Sequence, residues 1–313
     1  MRAVTFREQQ VMIEEFPDPS PGAGEVLVRV RAAGLNGADM MQRRGLYPAP
    51  PGSHPDIPGL ELAGEVAALG PGAERFAVGD RVMAIVGGGG QAELALVHER
   101  QLMPVPEALD WDAAGGLPEI FSTAHDALVT QAELSGGERL LVHGGAGGVG
   151  TAAIQLGRSL GARVTATVRR AELREQVAEL GATVVAPDGF ADHGPFDVIL
   201  ELVGAPNLAE NLQALDTGGR IVVIGVSAGA KGELNLLVLM GKRARIHGSM
   251  LRARPLEEKA VVARRLEREV LPLFESGALR VPVAETFPLS EAAAAYNRFA
   301  AGGKLGKIVL SVQ

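Results

Sequence analysis

The chain has no cysteine, one tryptophan and two tyrosines among 313 residues. The missing thiols exclude disulfides, thiolate zinc sites and a cysteine nucleophile. Positive charge is also short, with 30 Lys plus Arg against 37 Asp plus Glu, a formal net charge of −7. That balance argues against a nucleic-acid partner, which attracts basic patches. No apolar run approaches the ~18–20 residues needed to cross a bilayer. Met1-Arg2-Ala3-Val4-Thr5-Phe6 lacks the apolar stretch and the small-residue cleavage site of a signal peptide. A cytoplasmic protein without membrane association is the expectation. Disorder is excluded, because 47% of the residues are apolar and can offset the ordering entropy. At ~100–200 residues per domain, the length predicts two domains.

The first third reads as strands. Glu25-Val26-Leu27-Val28-Arg29-Val30-Arg31 alternates polar and apolar residues, as a half-buried strand does. Shorter runs follow at Glu65–Leu69, Arg81–Val86 and Ala92–Val97, punctuated by Pro71-Gly72, Gly79-Asp80 and Gly87–Gly90. Such punctuation predicts a β-rich unit, a small barrel. Past Pro118 the texture changes. Thr123–Leu134 reads as a helix and Glu138–Val142 as a strand with a continuous apolar centre, which suits a sheet covered on both faces. Strand and helix patterns then alternate through a last strand at Ala244–Met250, predicting a parallel sheet flanked by helices. Pro255–Ser276 reads as one amphipathic helix, kinked or broken at Pro272. Lys307–Val312 reads as a strand returning to the first domain.

The strongest local signal is His143-Gly144-Gly145-Ala146-Gly147-Gly148-Val149-Gly150. It holds G-x-G-x-x-G at Gly145, Gly147 and Gly150, directly after a buried strand and before the helix Thr151–Leu160. A side chain in such a turn would block a pyrophosphate or the close approach of helix and strand. The free N–H groups of the first helical turn then face the phosphates at the positive end of the helix dipole. A site for NAD usually ends its second strand in a carboxylate that binds the ribose 2′-hydroxyl. Here the second strand ends Thr167-Val168-Arg169-Arg170. A guanidinium pairs with a 2′-phosphate, so the expected cofactor is NADPH. Glu172 belongs to the helix that follows.

Segments along nearly the whole chain carry a resemblance. They include Ala33-Gly34-Leu35-Asn36 with Ala38-Asp39, Met41 to Tyr47, Pro58-Gly59-Leu60-Glu61, Val78-Gly79-Asp80-Arg81-Val82 and Gly87-Gly88-Gly89. Pro118-Glu119, Thr123-Ala124, Gly148-Val149-Gly150, Gly218-Gly219-Arg220 and Gly306 to Leu310 complete it. In this order and spacing they resemble the zinc-independent quinone oxidoreductases of the medium-chain dehydrogenase/reductase superfamily. The branch containing the tumour-suppressor-inducible quinone reductase is especially similar. The resemblance implies an α/β protein, a Rossmann-type doubly wound parallel sheet plus a GroES-like, β-barrel-containing catalytic domain. It implies domain bounds of 1–118 with 253–313 for the catalytic domain, and 119–252 for the dinucleotide-binding domain.

Zinc-bearing relatives place a cysteine where this chain has Asn36, and a histidine where it has Leu60 before Glu61. Their structural zinc needs four cysteines. No metal is therefore expected, and the six histidines lack ligand spacing. The resemblance puts Asn36 and Thr123 near the nicotinamide, Tyr47 at the substrate and Glu119 at the domain junction. Asn36 and Tyr47 are the catalytic candidates. Asn36, Thr123, Gly145, Gly147, Gly148, Val149, Gly150, Gly204, Gly225 and Lys307 are cofactor candidates. Many relatives hold the 2′-phosphate with Gly-Ser or Gly-Thr and a later lysine. Here Arg169, Arg170 and Arg174 supply the charge instead, and the segment Asp188–Pro195 is short enough to replace a crossover helix by a loop.

The implied reaction is metal-free hydride transfer from NADPH to a quinone. A 2-alkenal or enone reductase of the same fold and a catalytically idle NADPH-binding protein remain open. An uncovered last strand at Ala244–Met250 would pair across a two-fold axis, so a homodimer is expected.

Overall fold

The computed structural model describes residues 1–312. The chain forms two compact units. One holds Met1–Ser122, Leu251–Gly302 and the chain from Lys307; the other holds Thr123–Met250 and Gly303–Gly306.

The first unit begins with a hairpin of β1 (Arg2–Arg7) and β2 (Gln10–Glu15). Its turn holds Glu8 and Gln9 at φ +50° and +65°. The hairpin is absent from the sequence expectations, because no glycine or asparagine announces that turn. Next come β3 (Glu25–Gly34), α1 (Gly37–Arg43), β4 (Glu61–Leu69), β5 (Arg81–Ile85), β6 (Leu94–His98) and β7 (Leu102–Pro104). Alternation along β3 buries Val26, Val28 and Val30 against Leu62, Val82 and Leu102. Helices α2 (Trp111–Gly116) and α3 (Pro118–His125) follow. The expected helix Thr123–Leu134 is replaced by the end of α3 and a π-helical turn, Asp126–Gln131.

The second unit carries β8 (Arg139–Val142), α4 (Gly148–Ser159), β9 (Arg163–Thr167), α5 (Arg174–Ala178) and β10 (Thr183–Val185). A 3-10 turn, Phe190–His193, stands where the short crossover was expected. Then come β11 (Phe196–Glu201), α6 (Leu208–Ala214), β12 (Leu215–Val223), α7 (Leu236–Lys242) and β13 (Arg245–Gly248). The six strands run in parallel in the order β10-β9-β8-β11-β12-β13, so crossovers on either side of β8 make a doubly wound, Rossmann-type sheet. The central strands are apolar on both faces: Leu140, Leu141 and Val142 are buried, as are Val198, Ile199 and Leu200.

The chain returns to the first unit through α8 (Leu256–Glu269) and α9 (Leu271–Glu275). The helix expected over 255–276, kinked or broken at Pro272, is two helices that meet at Val270 (φ −117°). Pro272 lacks an N–H to continue α8 and sits instead in the first turn of α9. The chain ends in β14 (Val283–Pro288), α10 (Ala292–Ala301) and β15 (Lys307–Ser311). β15 pairs with β14 and β3, which completes a seven-stranded GroES-like sheet. Among the described residues no helix is long and apolar enough to cross a membrane.

Candidate active site

The glycine-rich loop follows β8 and opens α4, which begins at Gly148 rather than at Thr151. Gly147 is the N-cap, in an extended conformation. The three motif glycines differ in what they permit. A Cβ on Gly150 would lie 2.3 Å from the Gly144 carbonyl oxygen, and one on Gly145 would lie 2.9 Å from Ala166 Cβ. The fold itself demands both. A Cβ on Gly147 would meet nothing closer than the Gly144 oxygen at 3.3 Å. Gly147 is thus the least crowded of the three, and a phosphate could approach it against the N-terminal amides of α4. This amide cradle fits a dinucleotide pyrophosphate. Gly148, Val149 and Gly150 form the first turn of the helix.

The base of the loop is tied down by polar contacts within the protein. His143 is buried, with Nδ1 3.0 Å from the Thr167 hydroxyl and Nε2 2.7 Å from Asn211 Oδ1. Burial holds its imidazole below the ordinary range, so the neutral ring predominates. Glu201 accepts the N–H groups of Val203 and Gly204 at 2.6 and 2.7 Å and the Asn211 amide at 2.6 Å. This carboxylate fixes the turn after β11. Gly204 and Gly225 stand in such turns. A Cβ on either would strike a backbone oxygen, of Gly229 at 2.4 Å or of Leu202 at 2.5 Å, so packing alone accounts for both.

Beyond β9 the three arginines part company. Arg170 pairs with Glu172 at 3.3 Å. Arg174 donates Nε to the Val168 carbonyl at 3.1 Å. Arg169 is exposed and pairs with no carboxylate among the described residues. Thr123 is buried in the last turn of α3.

In the first unit, Asn36, Glu61 and Lys307 meet in a buried cluster. Asn36 caps α1, and its N–H donates to Asp39 Oδ2 at 2.8 Å. The Lys307 ammonium has three acceptors: Leu35 O at 2.7 Å, Asn36 Oδ1 at 2.6 Å and Glu61 Oε1 at 2.6 Å. Asn36 Nδ2 donates to the same Glu61 oxygen at 2.9 Å. The other Glu61 oxygen accepts the N–H of Glu119 at 2.8 Å. Lys307 is 2% exposed and Glu61 0%. Lys307 was expected on the cofactor, but its three donors are committed inside the unit and none is left for a phosphate. The Asn36 amide is likewise occupied at both ends, which makes it a strut of this cluster more than a free donor.

Zinc does not fit here. An ammonium already lies 2.6 Å from Glu61 and Asn36, and the position before Glu61 is Leu60, which has no donor atom. A divalent cation would face that positive charge with no thiolate or imidazole to hold it. Among the described residues, no group of three or more His, Cys, Asp or Glu could hold a metal ion.

The cluster continues outward. Asp39 Oδ2 also receives Gln91 Nε2 at 3.4 Å, and Gln91 Oε1 accepts the Tyr296 hydroxyl at 2.8 Å. Asp39 Oδ1 is buried with no hydrogen-bond partner among the described residues. Desolvation pushes this carboxyl up to about 7, against the pull of the Asn36 N–H, Lys307 and Arg252. Tyr47 is half-buried beside Arg252, with Glu119 close enough to act on it electrostatically. Burial raises its phenol above the ordinary range, so the hydroxyl keeps its proton at neutral pH and can donate it in a hydrogen bond. Sequence reasoning missed Arg252, Gln91, Tyr296 and Asp39's partners. Arg252 belongs to no motif that could have found it.

Comparison with known proteins agrees with this geometry. Residues 22–107 match the profile of the alcohol dehydrogenase GroES-like domain, and residues 142–310 match that of the zinc-binding dehydrogenases. The quinone oxidoreductase of Rattus norvegicus is 33% identical over 305 residues, covering 93% of this chain and 90% of that protein. An alcohol dehydrogenase superfamily protein from Novosphingobium aromaticivorans superposes with a TM-score of 0.88 at 32% identity, over 100% of this chain and 99% of that one. A mycobacterial protein whose structure was solved in complex with NADPH does so with a TM-score of 0.88 at 28% identity, over 99% and 100%. With an amide cradle in a doubly wound sheet and relatives of this extent, the chain belongs to the medium-chain dehydrogenase/reductase superfamily, whose members use a nicotinamide dinucleotide for oxidation and reduction.

Proposed function

We propose that the protein is an NADPH-dependent quinone oxidoreductase that works without a metal. The observation that carries this reading is an amide cradle followed, beyond the second strand, by Arg169 and Arg170 instead of a carboxylate. A 2′-phosphate would find an unpaired guanidinium at Arg169. The acceptor class rests on the relatives, of which the rat protein is a quinone oxidoreductase.

Bound NADPH would supply a hydride. The chain's own part is to grip the pyrophosphate with the amides of Gly147 to Gly150 and to hold the acceptor in a fixed pose. The Tyr47 hydroxyl would donate a hydrogen bond to the acceptor oxygen as negative charge gathers there. An electron-poor quinone needs no Lewis acid for this step, in keeping with the donor set around Glu61.

The test is NADPH oxidation with 1,4-benzoquinone, 9,10-phenanthrenequinone and a short 2-alkenal, run in parallel with NADH. Quinone-dependent oxidation that favours NADPH is expected. Activity confined to the alkenal, or turnover equal with NADH, would defeat the reading. Arg169→Ala should raise the KM for NADPH on the order of tenfold, the equivalent of ~1.4 kcal/mol, and leave that for NADH nearly unchanged. Arg170→Ala should do less, because Glu172 already engages that residue.

A two-fold dimer accompanies this proposal. β13 is one edge of its sheet, β10 being the other, and on α7, which precedes β13, Leu236, Leu237 and Met240 are 62%, 79% and 70% exposed. An open edge beside apolar side chains suits a second copy. Light scattering that finds only a 32.5 kDa species would refute it.

A further inference from the structure

Arg252 lies in the segment between β13 and α8, far in sequence from its hydrogen-bond partners. Its guanidinium is buried, with the residue 3% exposed. Nε donates to the Gly87 carbonyl at 2.7 Å, Nη1 to the Tyr47 carbonyl at 2.9 Å, and Nη2 to Gln42 Oε1. The guanidinium carbon sits 4.9 Å from the centre of the Tyr47 ring. One planar fork therefore joins the end of α1, the loop that carries Tyr47 and the glycine loop Gly87–Gly90. It fixes both the main chain and the ring of Tyr47.

This is a costly way to hold loops. A buried cation stabilises a structure only when its charge is compensated. The acceptors of Arg252 are two carbonyls and an amide, all neutral, with a π-face beside them. Asp39 is near enough to act on it electrostatically, but among the described residues no carboxylate accepts a hydrogen bond from it. A lysine would offer one point of attachment in place of a rigid fork. The same residue lines a cavity of about 660 Å³ within the first unit, whose walls include Ser53, His54, Gly88 and Lys259. The glycine loop is held to residues 57–59 by main-chain bonds such as Gly89 N–H to Ile57 O at 2.8 Å, and Arg252 adds a tie from it to the Tyr47 loop.

We propose that Arg252 is the positioning residue of the reduction: it locks the Tyr47 loop and the Gly87–Gly90 loop into one frame and sets the plane of the Tyr47 ring. This rests on the role given above to Tyr47. The residue has no part in the chemistry itself and acts through Tyr47.

Two measurements on the full chain test it. The first is amide hydrogen exchange in wild type, Arg252→Gln and Tyr47→Phe. Arg252→Gln should speed exchange in residues 44–53 and 86–90 and leave the second unit's sheet unchanged. Tyr47→Phe, which keeps the ring and the carbonyl, should alter neither loop. The second is steady-state kinetics with NADPH and 1,4-benzoquinone for both variants and their double. Each single change should lower kcat on the order of tenfold or more, with a smaller change in the KM for NADPH. The double variant should be no slower than the slower single, because both remove one function. Arg252→Lys should recover part of the loss, and it carries the same measurements should Arg252→Gln fail to fold. Unchanged exchange in both loops, or losses that multiply in the double variant, would overturn the proposal. If Tyr47→Phe keeps full activity while Arg252→Gln loosens the loops, the role of Tyr47 in the reaction falls and the clamp stands. If Tyr47→Phe is damaging and the loops stay rigid, the clamp falls and the role of Tyr47 stands.

Discussion

The two polar centres of this protein are built on opposite plans. The loop after β8 offers main-chain amides and removes side chains; the cluster around Glu61 buries charged side chains and satisfies them against one another. The first works by leaving space, the second by filling it. In the loop, a change should cost ligand binding most where the glycine is least crowded, at Gly147, and stability where a Cβ would strike the chain, at Gly145 and Gly150. In the cluster, any unmatched charge should cost stability directly.

The largest expected effect is at Lys307. Lys307→Met strips the ammonium from a carboxylate that is 0% exposed. Removing one partner of a buried pair costs ~3–5 kcal/mol, and urea denaturation should read that loss. The double change Lys307→Met with Glu61→Gln should recover most of it. A loss under ~1 kcal/mol for the single variant would mean the pair is not dry in solution.

Asp39 sharpens the same comparison through pH. Its folded-state carboxyl titrates near 7, above an unfolded value near 3.9. The folded state therefore favours the protonated form. The stability it contributes is full below about pH 4 and lost as pH rises toward 7. Three pH units bound that loss at ~4 kcal/mol. Asp39→Asn should remove this slope, so the stability of wild type relative to the variant should fall between pH 4 and 8. Parallel curves would place Asp39 in contact with water.

The loop gives the smallest change in stability and the clearest internal contrast. Gly150→Ala drives a Cβ into the Gly144 carbonyl and should cost ~1–3 kcal/mol. Gly147→Ala, whose Cβ would meet only the Gly144 oxygen at 3.3 Å, should cost less, about 0.5–1 kcal/mol for a poorer N-cap.

The same difference in plan governs how much of the molecule could be read from its sequence. The loop is eight consecutive residues whose meaning lies in glycine spacing between a strand and a helix, so the sequence shows it whole. The alternating pattern of β3 and the apolar runs of β8 and β11 likewise announce which faces are buried. The cluster draws on Asn36, Asp39, Glu61, Gln91, Tyr296 and Lys307, separated by up to 271 positions. Each alone reads as an ordinary polar residue. Only the pairing of β15 with β3 brings Lys307 beside Leu35 and Asn36, and that register is a tertiary fact. Lys307 was accordingly placed on the cofactor by resemblance, and the structure gives it other partners. The β1–β2 turn escaped for a local reason, because Glu8 and Gln9 adopt positive φ without a glycine to signal it. The break expected at Pro272 falls two residues earlier, at Val270, since Pro272 starts a new helix instead of bending the old one.

The central claim is that main-chain amides at the start of α4 grip the diphosphate of a nicotinamide cofactor. Calorimetric titration of NADPH into wild type and Gly147→Ala tests it most directly. One site per chain is expected in wild type and at least tenfold weaker binding in the variant, whose melting temperature should stay within a few degrees of that of wild type. Equal affinity in the two proteins, or no binding heat in wild type, would contradict it.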